Sequence, residues 1–158
     1  MLEYPLSQWA LICVVAGTVT GLLVNIPMMT QDEGYLPAYV AAGGLTRVDP
    51  TAASRALAVL VHHATAIAAA LLYGALVVVL SAVLPTVASL NGVPLIPHVV
   101  GITGVTAFLY YFFARITMPR AGGSLRDRTD AIIEQWMLTA FIFGTTLALF
   151  IPALVTQL

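Results

Sequence analysis

Polar residues are rare along four long stretches of the chain and are concentrated between them. The stretches run from about Leu6 to Met29, Ala56 to Leu84, Ile96 to Met118 and Ala131 to Ala153. Each is close to or longer than the roughly 20 residues that a helix needs to cross a bilayer. The pattern predicts an all-α integral membrane protein, with four transmembrane helices in an up-down bundle and a single domain over residues 1–158.

Proline and capping residues extend two of these predicted helices. Asp49 followed by Pro50 is typical of an N-cap with proline at the first helical position. A helix from Pro50 to the end of the second stretch would be about 52 Å long, so its first turns should protrude from the hydrocarbon. Ser124 and Asp127 resemble a capping box at the start of the last helix. The predicted helices cover approximately residues 6–29, 50–84, 96–118 and 125–153.

Composition agrees with a lipid environment. Of all residues, 60% are hydrophobic and only 8% are charged, whereas soluble domains carry about 25% charged residues. The first stretch differs from a cleaved signal peptide because Glu3 stands where a basic region is expected. The net charge of −1 leaves no basic surface for nucleic acid. The single cysteine, Cys13, cannot form an internal disulfide or a multi-cysteine metal site and is expected to be buried.

The positions of the basic residues predict the orientation. All six lie in or beside the first and third loops: Arg47, Arg55, Arg115, Arg120, Arg126 and Arg128. The termini and the second loop have none. By the positive-inside rule, loops 1 and 3 are cytoplasmic, and both termini of this cell-membrane protein lie on the other side.

Two loops differ in character. The first, from Gln31 to Asp49, carries Tyr35 and Tyr39, and aromatic residues of this kind favour the headgroup level. A short interfacial helix is therefore predicted over about residues 36–42. The second loop, residues 85–97, contains no charged residue.

The choice of residues resembles that of one group of membrane proteins. Every basic residue is arginine, alanine and valine are abundant, and acidic residues are kept mainly in loops. In these respects the chain resembles small four-helix membrane proteins of halophilic archaea. The resemblance is one of composition and includes no motif.

Ionisable groups within a span are costly and suggest function or a structural pair. The topology predicts one polar layer in the cytoplasmic half, to which all four helices contribute: Asn25, His62, His63, Arg115 and Glu134. Such a layer could handle protons, bind a cation or a headgroup, or simply lock the bundle by snorkelling to water. Glu134 is predicted to pair with Arg115 or with a histidine.

The histidines argue against simple metal or haem sites. His62 and His63 point about 100° apart on a helix and cannot easily chelate one ion together. His98 lies at the opposite surface, too far away to share a haem with either. It is expected to be a solvated residue at a helix start, and Tyr73 is expected to find its hydrogen-bond partner among nearby threonines.

Small residues indicate close helix packing. Gly17 and Gly21 form a small-xxx-small pair, which serves equally well for packing within one chain or between chains. A stripe of small residues in the second predicted helix suggests the inner seam of the bundle: Ala66, Ala69, Ala70 and Gly74.

No enzyme motif and no metal-ligand motif is present. We therefore expect a non-enzymatic accessory or scaffold subunit that packs against other membrane chains or self-associates in the bilayer. One alternative is a proton, cation or small-molecule transport module built on the polar layer. The other is a redox subunit that shares haem or quinone with another chain. The sequence assigns no cofactor.

Overall fold

The residues that the structure describes fold into five α-helices and one short β-hairpin. In the computed structural model, which describes residues 4–121 and 123–157, the helices are α1 (Leu6–Thr30), α2 (Leu36–Thr46), α3 (Arg55–Val83), α4 (Leu95–Phe112) and α5 (Thr129–Val155). Four helical segments, containing α1, α3, α4 and α5, are long and apolar enough to cross a membrane. This confirms the predicted number of candidate spans.

The four long helices form a bundle in which each packs against two others. The contacting pairs are α1–α3, α3–α4, α4–α5 and α1–α5. At one end, the Tyr4 hydroxyl donates to the Asn91 carbonyl at 3.3 Å, and Asn91 Nδ2 donates to the Pro152 carbonyl at 3.0 Å. We call this the hairpin end. The opposite end, formed by residues 31–55, 113–121 and 123–128, is the loop end. Consecutive long helices therefore run in opposite directions.

Small residues bring α1 and α3 close together. A Cβ atom added to Gly17 would lie 2.8 Å from the Ala70 Cβ and 2.9 Å from the Ile67 Cα, and one added to Gly21 would lie 3.0 Å from the Ala66 Cβ. The small-xxx-small pair thus packs within the chain. The predicted inner seam of α3 is buried, as its members show: Ala66, Ala69, Ala70 and Gly74.

The start of α3 differs from the prediction. The Asp49 side chain accepts a hydrogen bond from Thr51 N–H at 2.9 Å, but this caps only a 3₁₀ turn over Pro50–Ala52. The backbone then becomes extended, and Ser54 caps α3 by accepting from Leu57 N–H at 3.3 Å. The expected helix from residue 50 is therefore wrong, because a second cap interrupts it.

The capping box predicted for the last helix is also absent. Gly123–Arg128 forms a 3₁₀ segment, and α5 begins at Thr129 with no side-chain cap hydrogen bond. Ser124 instead donates to the Asp49 carboxylate at 2.9 Å, which joins the third loop to the first. The Ser124 hydroxyl therefore forms a tertiary contact and not the helix cap that the local sequence pattern predicted.

The second loop contains the structure that the all-α prediction missed. Ser89–Leu90 (β1) pairs antiparallel with Val93–Pro94 (β2). Asn91 and Gly92 between them have φ values of 52° and 82°. These left-handed conformations are what a two-residue type I′ turn requires, and Asn-Gly is its preferred sequence.

A helix is present where a short interfacial helix was predicted near residues 36–42, namely α2, although it extends to Thr46. It ends at Arg47, which adopts a left-handed conformation with φ 58°. The helix packs against α3 and contributes Val40 to a small apolar cluster at the loop end. The other buried members of that cluster are Phe113, Met118, Leu125 and Ile132.

Candidate functional site

Four polar side chains from α1, α3 and the start of α2 meet near the loop end, and we call them the polar network. The Tyr35 hydroxyl donates to Asn25 Oδ1 at 2.7 Å, and Asn25 Nδ2 donates to His63 Nε2 at 3.4 Å. The rings of His62 and Tyr35 lie 6.1 Å apart. Burial raises the pKa of Tyr35, with Arg55 opposing the shift, so this phenol is neutral and can act as the donor. The structure thus brings together three of the predicted site residues.

Glu134 and Arg115 do not join this network. Both are exposed, and the one salt bridge among the described residues links Glu33 to Arg128. Glu134 is exposed because of helical periodicity. It lies two positions, or about 200° around the helix, from both the buried Ile132 and the cavity-lining Trp136. The expected layer with contributions from all four spans is therefore restricted to α1 and α3, with Tyr35 added.

The Glu33–Arg128 pair was missed by sequence reasoning. Glu33 is only 8% exposed. Arg128 Nε donates to Glu33 Oε1 at 2.6 Å, and the backbone N–H of Glu33 donates to Gln135 Oε1 at 2.7 Å. Three hydrogen bonds, two of them within the Arg128–Glu33 ion pair, therefore hold loop 1 against α5 and the residue that precedes it. The two partners are 95 positions apart, and no local pattern connects them.

A cavity of about 150 Å³ lies beside the polar network, and all five helices contribute to its wall. Its α3 wall runs from Val61 to Ala69, about 9 to 21 Å along the helix axis from Arg55. Apart from His62 and a few threonines, the lining is apolar or aromatic. The volume matches that of an engineered apolar cavity known to bind benzene.

The exposure of its lining residues indicates that the cavity opens on the side of the bundle. Only two lining residues are exposed, Thr65 on α3 and Phe112 on α4, and these helices are neighbours. Next to the mouth, α4 continues as a π-helical segment over Phe113–Thr117, whose first and last residues also line the cavity. Such segments occur frequently at functional sites. Access is therefore between α3 and α4.

Two polar side chains of the cavity wall, Thr139 and His62, keep hydrogen-bonding capacity that no described residue uses. Thr139 is 2% exposed, and its hydroxyl has no hydrogen-bond partner among the described residues. His62 Nε2 lies 3.1 Å from the Gly21 carbonyl, to which it must donate. In the neutral ring the Nδ1 atom is then an acceptor. The indole N–H of Trp136, another lining residue, is already bonded to the Leu109 carbonyl at 3.1 Å.

A second, polar groove of about 480 Å³ opens at the loop end. Its lining includes Tyr35, Arg55 and Arg128. Met28 lines both this groove and the apolar cavity. Met28 therefore belongs to the walls of both the polar groove and the apolar cavity.

His98 lies far from this site and is not solvated, contrary to expectation. It is 4% exposed. Its Nε2 donates to the Ala148 carbonyl at 3.1 Å, so its Nδ1 accepts from the Tyr73 hydroxyl at 2.6 Å. The partner of Tyr73 is thus this histidine and not a threonine. The arrangement joins α3, α4 and α5 and leaves no atom of the pair for a ligand.

Among the residues that the structure describes, no three His, Cys, Asp or Glu side chains lie close enough together to hold a metal ion. No protein-family model matches the chain, and neither curated proteins nor solved structures give a match. The cavity and the polar network are therefore the observations from which a function is argued.

Proposed function

We propose that this chain is a multi-pass membrane protein that binds a small lipophilic molecule, admitted from the bilayer through the gap between α3 and α4. The observation that carries the proposal is that Thr65 on α3 and Phe112 on α4 line the cavity and are exposed, which places its opening on the side of the bundle. A soluble ligand would be expected to enter from a loop. A lipophilic one reaches a side opening by diffusing in the membrane.

The outer surface of the bundle supports the membrane location. Large apolar side chains face outward along all four long helices, among them Leu22, Leu60, Val79, Phe108, Phe141 and Leu149. Such a surface is unfavourable in water and favourable in lipid. Because all six arginines lie at the loop end, we place that end, and therefore the cavity, on the cytoplasmic side.

Cysteine accessibility tests the orientation. In a Cys13→Ala background, Thr86→Cys lies in the second loop and Asp127→Cys lies in the third, and both native side chains are exposed. An impermeant maleimide added to intact cells should label only Thr86→Cys, and permeabilisation should add Asp127→Cys. The reverse pattern would overturn the orientation without affecting the cavity.

The cavity favours a ligand-binding function over the scaffold, the proton or cation, and the haem hypotheses. The small-residue faces that suggested a scaffold pack within the chain, so association with other membrane chains remains a prediction without a surface assigned to it. The proton or cation hypothesis relied on Glu134 and Arg115, which lie outside the network. A haem is much larger than the 150 Å³ available. His62 is the only titratable side chain among the described residues that line the cavity.

Filling the cavity tests the binding function. Ala69 lines the cavity and is buried, whereas the adjacent Ala68 faces outward. The probe is bromobenzene, whose heavy atom quenches the fluorescence of Trp136 in the cavity wall. A Trp9→Phe background leaves Trp136 as the only tryptophan, because the chain has two.

We expect saturable quenching in the parent protein and in Ala68→Leu, but only the linear quenching of unspecific partitioning in Ala69→Leu. Extraction of the protein purified in mild detergent should also yield a co-purifying lipophilic molecule that is lost from Ala69→Leu. Linear quenching in all three proteins would contradict the proposal.

A further inference from the structure

We infer that the molecule bound in this cavity carries a hydroxyl group on a flat ring, so that it both donates and accepts a hydrogen bond. This inference rests on the proposed function and adds the chemical class of the ligand. It is carried by two side chains of the mainly apolar cavity wall, His62 and Thr139, whose hydrogen-bonding capacity no described residue uses fully.

The first atom, His62 Nδ1, requires a hydrogen-bond donor on the ligand. His62 uses its Nε2–H for the Gly21 carbonyl, which fixes the tautomer and leaves Nδ1 with a lone pair. A carbonyl or ether oxygen on the ligand offers this atom nothing. A ligand O–H satisfies it.

The second atom, the Thr139 hydroxyl oxygen, carries a hydrogen-bond donor that requires an acceptor on the ligand. The Thr139 hydroxyl is buried without a partner, although a helical threonine commonly bonds to the carbonyl four positions earlier. A buried polar group without a partner is costly, so a ligand oxygen that accepts from it recovers that cost. A hydroxyl is the smallest group that accepts from Thr139 and donates to His62.

The aromatic wall selects the body of the ligand. The Phe113 and Trp136 rings lie 4.9 Å apart at 43°, and both line the cavity. Aromatic side chains favour offset or tilted contact with a further ring. Together with the benzene-sized volume, this favours a phenol-like or quinol-like ring over a long acyl chain.

Matched bromoarenes test the inference. Bromobenzene, 4-bromoanisole and 4-bromophenol share an aromatic ring and a bromine quencher. Bromobenzene forms no hydrogen bond, 4-bromoanisole can only accept one, and 4-bromophenol can both donate and accept. Near pH 7.5 the phenol and an ordinary histidine are both mainly neutral. For each probe, the saturable quenching of Trp136 is measured in the parent protein and compared with Ala69→Leu. We expect 4-bromophenol to bind about ten-fold more tightly than bromobenzene, which is the effect of one net hydrogen bond.

Variants at the hydroxyl decide the outcome. Thr139→Val should remove most of the preference for 4-bromophenol over bromobenzene, and Thr139→Ser should restore the preference. Thr145→Val, an exposed position on the same helix outside the cavity, should behave like the parent.

If bromobenzene binds saturably but the three probes have equal affinity, or if Thr139→Val keeps the preference, the ligand class is wrong and the binding function stands. If no probe binds saturably, both proposals fail.

Discussion

The two ends of the bundle differ in the hydrogen bonding of their buried polar groups. At the hairpin end, the indole N–H of Trp9 donates to the Gly74 carbonyl at 3.1 Å, and the Tyr73–His98 pair is bonded at both imidazole nitrogens. Toward the loop end, the Thr139 hydroxyl lacks a partner and a cavity lies beside it. One end is closely packed with its polar groups paired, and the other retains space and hydrogen-bonding capacity.

This difference separates structural polar residues from candidate functional ones. A buried group whose hydrogen bonds are satisfied within the chain stabilises the fold, and its removal leaves a partner unpaired. A buried group that faces a cavity without a partner reduces stability unless a ligand binds there. Removing a paired hydroxyl at the hairpin end and removing the unpaired Thr139 hydroxyl should therefore change stability with opposite signs.

The largest effect is expected from overpacking the hairpin end. In Gly74→Val, the new Cβ would lie 2.6 Å from Cys13 Sγ and 3.2 Å from Trp9 Nε1. The loss in unfolding free energy should reach or exceed the upper part of the ~1–3 kcal/mol typical of overpacked cores. Gly104→Val is the matched control, since its Cβ would meet only Leu76 Cδ1 at 3.8 Å.

Thermal unfolding in detergent measures this difference. Adding Cys13→Ala should recover part of the stability of Gly74→Val, because the Cys13 sulfur is the nearest obstacle. Equal melting temperatures for the two valine variants would show that the hairpin end is not tightly packed.

Removing one hydroxyl from the hairpin end should have the next largest effect. Tyr73→Phe leaves His98 Nδ1 buried without its donor, which should destabilise the protein by about 1–3 kcal/mol. Tyr111→Phe changes an exposed hydroxyl and should leave the melting temperature unchanged. If both variants melt alike, the pairing of Tyr73 with His98 contributes nothing to stability.

The corresponding change beside the cavity should have the opposite sign. Thr139→Val keeps the side-chain shape and removes an unpaired buried hydroxyl, so the ligand-free protein should gain on the order of 1 kcal/mol. Thr145→Val, at an exposed position, serves as the control. A clear loss of stability in ligand-free Thr139→Val would mean that the hydroxyl has a partner in the folded protein and that the contrast between the ends is wrong.

The smallest effect concerns the contact between the first and third loops. Hydrogen bonds from the side chain and backbone of Thr51, and from Ser124, lower the pKa of Asp49 below its ordinary value. The folded pKa therefore lies below the unfolded one, so this stabilisation is present above the unfolded value of about 3.9 and is lost as the pH falls through the folded value.

Melting temperatures near pH 5 and near pH 3 check this sign. The parent should lose slightly more stability over that interval than Asp49→Asn, which has no charge to titrate. Ser124→Ala should fall between them. An identical loss in the parent and in Asp49→Asn would show that these hydrogen bonds do not stabilise the carboxylate.

The sequence alone determined the features that depend on local composition. Four candidate spans followed from the length of apolar runs, and a short helix was predicted in the tyrosine-bearing loop. The Asn91-Gly92 turn could also have been recognised, because its backbone requirement is local. The buried seam of α3 was predicted from small residues at helical spacing.

Only the tertiary structure decided which polar residues meet. Local patterns placed Glu134 at the level of His62, but the rotation of α5 turns Glu134 outward and Thr139 inward. Tyr73 pairs with His98, and Ser124 with Asp49, because helix packing brings together residues 25 and 75 positions apart. The cavity was not foreseeable for the same reason: its walls come from five helices, and its volume is what remains after their side chains have packed.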